Sequence, residues 1–265
     1  MGSAIAERIN NFEISIFDED KLKTKDLKST IKVLLGAALV VQNSDVIILA
    51  VKPQDFESLL MLIKKSAAGT DKLYISIAAG ITTGYVEKAL GNARVIRTMP
   101  NMPAQIGEGI TALSKGIYTT DADLKFSEEL FSSVGKTLVV NENMMNAVTA
   151  VSGSGPAYVC YFLETEGLFP AAVPREKQNK FLEEFIKAAQ GVGFNLEQAT
   201  QLVNQTFKGT IHFLQQKNVA PSQLCRRVTS KGGTTEAALA VLQQGGSLEE
   251  AIKAAVNRAK ELSRG

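Results

Sequence analysis

The chain has 265 residues, roughly 1.8 times the 150 that serve as a prior for one domain, and 45% hydrophobic with 21% charged residues excludes a disordered or fibrous chain. Twenty-nine Lys and Arg against 27 Asp and Glu leave a net charge of +2, too weak a field for nucleic acid or an anionic membrane to be the default partner. Cys160 and Cys225 match no metal-ligand or disulfide spacing and no secretory leader is visible, so no metal and a cytoplasmic location are expected.

Residues 1–140 alternate helical patterns with short β-rich runs, which predicts a dinucleotide-binding α/β domain around a parallel sheet. A helical pattern covers Ala4 to Asn10. The chain opens Met1-Gly2-Ser3, so only the final glycine of a G-x-G-x-x-G loop and the helix after it are present, and a first strand with two earlier glycines is expected to precede them. Phe12 to Phe17 reads as a strand ending in Asp18, Glu19 and Asp20. That is either the carboxylate a dinucleotide fold offers to ribose hydroxyls or a plain acidic cap. Asp45 to Val51 is the next strand and stops at Lys52-Pro53, which places Lys52 at a ligand crevice or in open solvent. Helix Phe56 to Lys65, strand Leu73 to Ile77, helix Thr83 to Leu90 and strand Val95 to Met99 follow. The prolines Pro100 and Pro103 then hold Asn101 at the sheet's ligand edge or in a rigid loop between domains. Helix Asp121 to Ser133 and strand Thr137 to Val140 complete this half.

Residues 141–265 carry apolar residues at helical spacing and predict a second, all-helical domain. Asn143 to Glu166 is uncharged for most of its length, but Asn146 and Ser152 to Pro156 interrupt it, which argues against a membrane span and divides it into two helices. Helices are also expected at Glu176 to Val192, Leu196 to Gln216, Thr234 to Gln243 and Ser247 to Leu262, with Pro221 among the breakers. The apolar faces of Ala157 to Leu163 and Phe181 to Val192 exceed what one helical layer covers, so the subunit interface is expected there. His212 is the only histidine. Lys208 and Gly209, one turn before it, supply no carboxylate, and with no cysteine pair or clustered acids beside it a helix-surface or core histidine is expected and a Ser-His-Asp triad or zinc site is not. Thr229-Ser230-Lys231-Gly232-Gly233-Thr234-Thr235-Glu236 places glycines and hydroxyls at a helix start. The unpaired N–H groups there suit a carboxylate or phosphate, although a glycine turn with a threonine cap reads the same way.

Four segments in order, Leu49-Ala50-Val51-Lys52-Pro53-Gln54, Val95-Ile96-Arg97-Thr98-Met99-Pro100-Asn101, Ser152-Gly153-Ser154-Gly155-Pro156-Ala157-Tyr158 and Val228-Thr229-Ser230-Lys231-Gly232-Gly233-Thr234-Thr235, resemble the pyrroline-5-carboxylate reductase family. The resemblance implies a Rossmann-like domain followed by an all-α dimerisation domain, a homodimer or a ring of dimers, and NAD(P)H reduction of 1-pyrroline-5-carboxylate to L-proline. It places Met1, Gly2, Ala50, Val51, Lys52, Pro53, Ala78 and Ala79 at the cofactor, to which the reading of the strand ends adds Asp18 and Asn101. It places Ser230, Gly232, Gly233, Thr234 and Thr235 at the substrate carboxylate, with Thr235 also reaching the ring nitrogen. Asp18 leans the cofactor choice toward NADH, because a carboxylate there repels a 2′-phosphate.

Departures from the family are the residues expected before Met1, Lys231 where the family usually has proline, and Thr165 to Glu183, which reads as extra or diverged sequence. The alternatives are a cofactor-deficient dimerisation or binding module, and a related imine or 3-hydroxyacid dehydrogenase. The latter would usually carry a catalytic lysine in the interdomain helix, and Asn143 to Val151 has none.

Overall fold

The computed structural model describes residues 1–9 and 12–263, which form two compact units. The first comprises Met1–Thr98 and Leu113–Val134 with the last residues of the chain, and the second Met99–Ala112 with Gly135–Leu262. Residues 99–112 and 135–140, placed with the first domain in the sequence reading, thus pack with the helices.

In the first unit helix α1 (Gly2–Ala6) leads to strands β1 (Ile14–Ile16) and β2 (Ile31–Val33), which pair in parallel as a separate two-stranded sheet. Helix α2 (Ala37–Gln42), strand β3 (Val46–Leu49), helix α3 (Phe56–Ala67), strand β4 (Leu73–Ser76), helix α4 (Thr83–Leu90) and strand β5 (Arg94–Met99) then alternate. Parallel pairing sets Val46 opposite Leu73 and Leu73 opposite Arg94. All four residues of β4 are buried, as a central parallel strand covered on both faces requires. Phe56, Leu60 and Ile63 of α3, at helical spacing, fill this core with Ile47, Leu49 and Ile75. Strand β6 (Gly109–Lys115) neighbours β5, and Gly116 N–H just beyond it donates to Val95 O at 2.8 Å. Helix α5 (Asp121–Ser132) starts in a reciprocal capping box between Thr120 and Asp123.

In the second unit strand β7 (Gly135–Val139) lies beside β6, and the Gly135 backbone approaches Gly109 too closely for any side chain. Helix α6 (Met145–Val148) runs into a π turn over Thr149–Gly153, and helix α7 (Gly155–Thr165) starts afresh with Pro156 in its first turn. The long helix of the sequence reading is therefore two helices with a wide turn between. Helices α8 (Arg175–Gln190), α9 (Leu196–Lys217), α10 (Pro221–Val228), α11 (Thr234–Gln243) and α12 (Leu248–Leu262) complete the unit. A Cβ on Gly155 would sit 2.6 Å from Thr206 Cγ2, so glycine sets the approach of α7 to α9. Phe162 stacks on Phe181 at 4.4 Å, and Tyr158 meets Phe185 edge-on at 5.8 Å.

Several expectations are corrected. Among the described residues seven strands stand where five were expected. Strand β2 escaped because Lys32 and Val33 are exposed on three residues, and β6 because Gly, Ala and Ser dilute its apolar signal although six of its seven residues are buried. Helix α1 begins earlier than Ala4 and ends at Ala6, and Asn10, the expected end, lies outside the described residues. Pro221 opens a helix at N1 rather than breaking one. The apolar faces of Ala157 to Leu163 and Phe181 to Val192 are largely covered inside their own unit. His212 has a carboxylate partner after all: Glu108 Oε1 lies 3.4 Å from its Nδ1, with Lys208 Nζ at 3.4 Å from the other oxygen. Partial desolvation pushes the Glu108 carboxyl up, but the hydrogen bonds and charges of His212 and Lys208 outweigh it and hold the group below its ordinary value. Among the described residues no helix is long and apolar enough to cross a membrane.

Candidate active site

The sequence-predicted residues fall into two groups, one in each unit. In the first unit they follow the carboxyl ends of parallel strands, where open α/β sheets bind ligands: Asp18 after β1, Ala50 to Pro53 after β3, Ala78 and Ala79 after β4. A Cβ on Gly2 would lie 2.9 Å from the Ala50 Cβ, so the start of α1 approaches the end of β3 as only glycine permits. Met1 precedes α1 as its N-cap. Lys52 is exposed at the start of the turn containing Pro53. Ala78 is buried and its N–H donates to Ser76 Oγ at 3.3 Å, which fixes the loop after β4. Asp18 Oδ1 accepts from Asp20 N–H at 3.0 Å and from Lys23 Nζ at 3.4 Å, so its charge is already partly met within its own loop.

In the second unit the chain leaves α10 through Thr229, whose hydroxyl donates to Cys225 O at 2.8 Å. Gly233 N–H then donates to Ser230 O at 3.0 Å, closing a four-residue turn with Gly232 at its third position and φ +68°. That conformation belongs to a type II turn and suits glycine. Lys231, at the second position, is exposed and occupies the place where such turns favour proline. Its N–H donates to no group among the described residues. Lys231→Pro is therefore expected to raise unfolding stability by about 0.4–1 kcal/mol, by restricting the unfolded chain without costing a hydrogen bond. Urea denaturation measures this, and a loss of stability would show that the turn differs.

Both peptides flanking Gly232 are held. Its N–H donates to Glu236 Oε2 at 2.6 Å, and its carbonyl accepts from Arg258 Nε of α12 at 2.7 Å. Gly233 is the N-cap of α11 and contributes no capping side chain. The Ala237 N–H reaches back to Gly233 O, so those of Thr234, Thr235 and Glu236 have no carbonyl of the helix to bond. Thr235 is buried. Its hydroxyl donates to Ser154 Oγ at 2.9 Å, and Ser154 Oγ lies 3.0 Å from Thr234 Oγ1, which links three hydroxyls where α7 and α11 begin. The Tyr158 hydroxyl donates to Ala150 O at 3.0 Å, and full burial pushes its pKa far above the usual phenol, so it keeps its proton.

Asn101 is buried, its Oδ1 accepting from Ile110 N–H at 3.0 Å and its Nδ2 lying 3.4 Å from Thr206 Oγ1. Its amide thus ties the loop after β5 to its own unit. Burial raises the thiols of Cys160 and Cys225 above their ordinary value, which removes them as nucleophiles at neutral pH. Among the described residues no cluster of three metal-ligating side chains exists. Sequence reasoning did not give roles to Glu236, Arg258 or Ser154. Ser154 and Glu236 stand inside glycine-rich segments already singled out, whereas nothing in α12 marks Arg258.

Comparison with known proteins adds two family profiles. "Pyrroline-5-carboxylate reductase dimerisation" matches residues 142–174 and 179–263, so within the segment read as diverged only 175–178 falls outside it. "NADP oxidoreductase coenzyme F420-dependent" matches residues 1–80. Pyrroline-5-carboxylate reductase of Mycobacterium tuberculosis is 35% identical over 263 residues, covering 89% of this chain and 83% of that protein. A solved pyrroline-5-carboxylate reductase from Coxiella burnetii is 32% identical, with a TM-score of 0.61 over 100% of this chain and 93% of that one. A Plasmodium falciparum pyrroline carboxylate reductase, solved with NADP bound, is 26% identical with a TM-score of 0.59, covering 99% and 92%.

Proposed function

The chain belongs to the pyrroline-5-carboxylate reductase family, and on that premise we propose how its residues serve the reduction of 1-pyrroline-5-carboxylate to L-proline, the last step of proline biosynthesis. It is an oxidoreductase with a Rossmann-like nucleotide-binding domain and a helical dimerisation domain. The observation that carries the substrate assignment is the start of α11. Its Thr234 and Thr235 N–H groups, which have no acceptor among the described residues, and the positive end of the helix dipole suit a carboxylate without any lysine or arginine touching it. Of the loop residues assigned to the substrate, Ser230, Gly232 and Gly233 shape the turn, with Ser230 O, both Gly232 peptide groups and Gly233 N–H already bonded within the protein, while Thr234 and Thr235 offer donors. Thr235 is proposed to bond the ring nitrogen through its hydroxyl, with Ser154 and Thr234 as its hydroxyl neighbours. A ring imine is protonated more readily than a ketone, so no strong acid is required of the protein and positioning is its task.

The first unit fits a nicotinamide cofactor, on the evidence of loops ending its parallel strands and the close Gly2–Ala50 approach. Met1, Gly2, Ala50, Val51, Lys52, Pro53, Ala78 and Ala79 are proposed to hold it. Asn101 joins them only as an anchor of its loop, since its amide is occupied. Bound NAD(P)H supplies the hydride. Asp18 is proposed to receive the ribose hydroxyls and favour NADH, moderated by Lys23. A homodimer and a cytoplasmic setting complete the proposal, the latter resting on two free thiols. The test is substrate-dependent oxidation of NADH or NADPH by the whole protein. Absence of turnover at saturating substrate with both cofactors would overturn it.

A further inference from the structure

We propose that Arg258 of α12 is a positioning residue for the substrate's carboxylate. The inference rests on the assignment of that carboxylate to the start of α11. Arg258 reaches the loop from a helix far along the chain, and its Nε donates to Gly232 O at 2.7 Å while Nη1 is braced by Glu261 Oε2 at 2.7 Å. The guanidinium is therefore fixed by two bonds at right positions on one rigid fork, which a lysine cannot reproduce. Its Nη2 lies 3.4 Å from where a Gly232 Cβ would be, so the cation is packed against the turn itself.

The bond to Gly232 O sets the plane of the peptide joining Gly232 to Gly233. That peptide's N–H closes the turn on Ser230 O, and Gly233 is the residue through which the chain enters α11. Rotating it would swing the N–H groups of Thr234 and Thr235. On the other side of Gly232, Glu236 Oε2 holds the N–H, so the turn is clamped from both flanking peptides before any substrate arrives. Such preorganisation lowers the ordering cost of binding an anion, and the positive charge of Arg258 adds a favourable field beside it while Glu236 subtracts one.

Arg258→Met and Arg258→Lys, assayed in the whole protein alongside Thr235→Ala, test the proposal by steady-state kinetics and thermal denaturation. Arg258→Met should raise the KM for 1-pyrroline-5-carboxylate by about tenfold or more, the effect of losing one hydrogen bond to a charged group, with cofactor KM and kcat within about threefold of the parent. Arg258→Lys should recover charge but not the fork, and so restore only part of the loss. If Arg258→Met does not fold, the lysine variant decides by the same split in KM. An unchanged substrate KM, or substrate and cofactor KM rising together with falling thermal stability, overturns the positioning role. If Thr235→Ala also leaves catalysis untouched, the substrate site itself has been misplaced; if Thr235→Ala acts and Arg258 does not, only Arg258 is wrong.

Discussion

Thr235→Ala is expected to lower kcat/KM for 1-pyrroline-5-carboxylate by roughly 10- to 150-fold, the 1.5–3 kcal/mol typical of a hydrogen bond to a charged group, with cofactor affinity nearly unchanged. The variant should fold. Thr235 is buried and its hydroxyl bonds Ser154 Oγ, but Ser154 retains Thr234 Oγ1 at 3.0 Å, and alanine is a strong helix former at a position inside α11. What disappears is the hydroxyl oxygen proposed to accept from the protonated ring nitrogen while its own proton is given to Ser154 Oγ, leaving the backbone N–H groups in place. A parallel loss of cofactor binding would assign Thr235 to a different pocket.

Asp18→Ser is expected to move the ratio of kcat/KM for NADH over NADPH toward NADPH by tenfold or more. Two like charges about 4 Å apart near a surface repel by roughly 4 kcal/mol at an effective dielectric of about 20, so a carboxylate at this position opposes a 2′-phosphate strongly. The structure adds a counterweight. Lys23 Nζ stands 3.4 Å from Asp18 and 4.0 Å from Asp20, close enough to neutralise part of that field, and the Asp18 side chain is 36% exposed to screening solvent. Lys23→Ala should accordingly move the ratio the opposite way. If the wild type prefers NADPH by tenfold, or Asp18→Ser leaves the ratio still, Asp18 does not sit beside the ribose.

Much of this was legible before any coordinates. Strands β3, β4 and β5 declare themselves as short apolar β-branched runs, and α4 and α11 lie where their breakers and apolar spacing place them. Short or dilute elements were not. Helix α2 follows Gly36, which offers no capping side chain, and runs only six residues. The clamp on Gly232 was also illegible, because it joins residues 26 apart in sequence, and no local pattern announces that an arginine on one helix will bond a particular carbonyl on another loop. Likewise the partner of His212 is Glu108, far earlier in the sequence, and not a residue of the preceding turn of its own helix.

The π turn at Thr149–Gly153 bears on how sequences of this kind are compared. A wide turn accommodates one residue more than an α-helix does over the same rise, and each residue of an α-helix advances its face by about 100°. A helical wheel drawn without interruption from Asn143 to Glu166 therefore points Tyr158 and Leu163 about a quarter-turn away from the core that contains them. The face that α7 presents to the core is thus set by the wide turn and not by the run of residues before it.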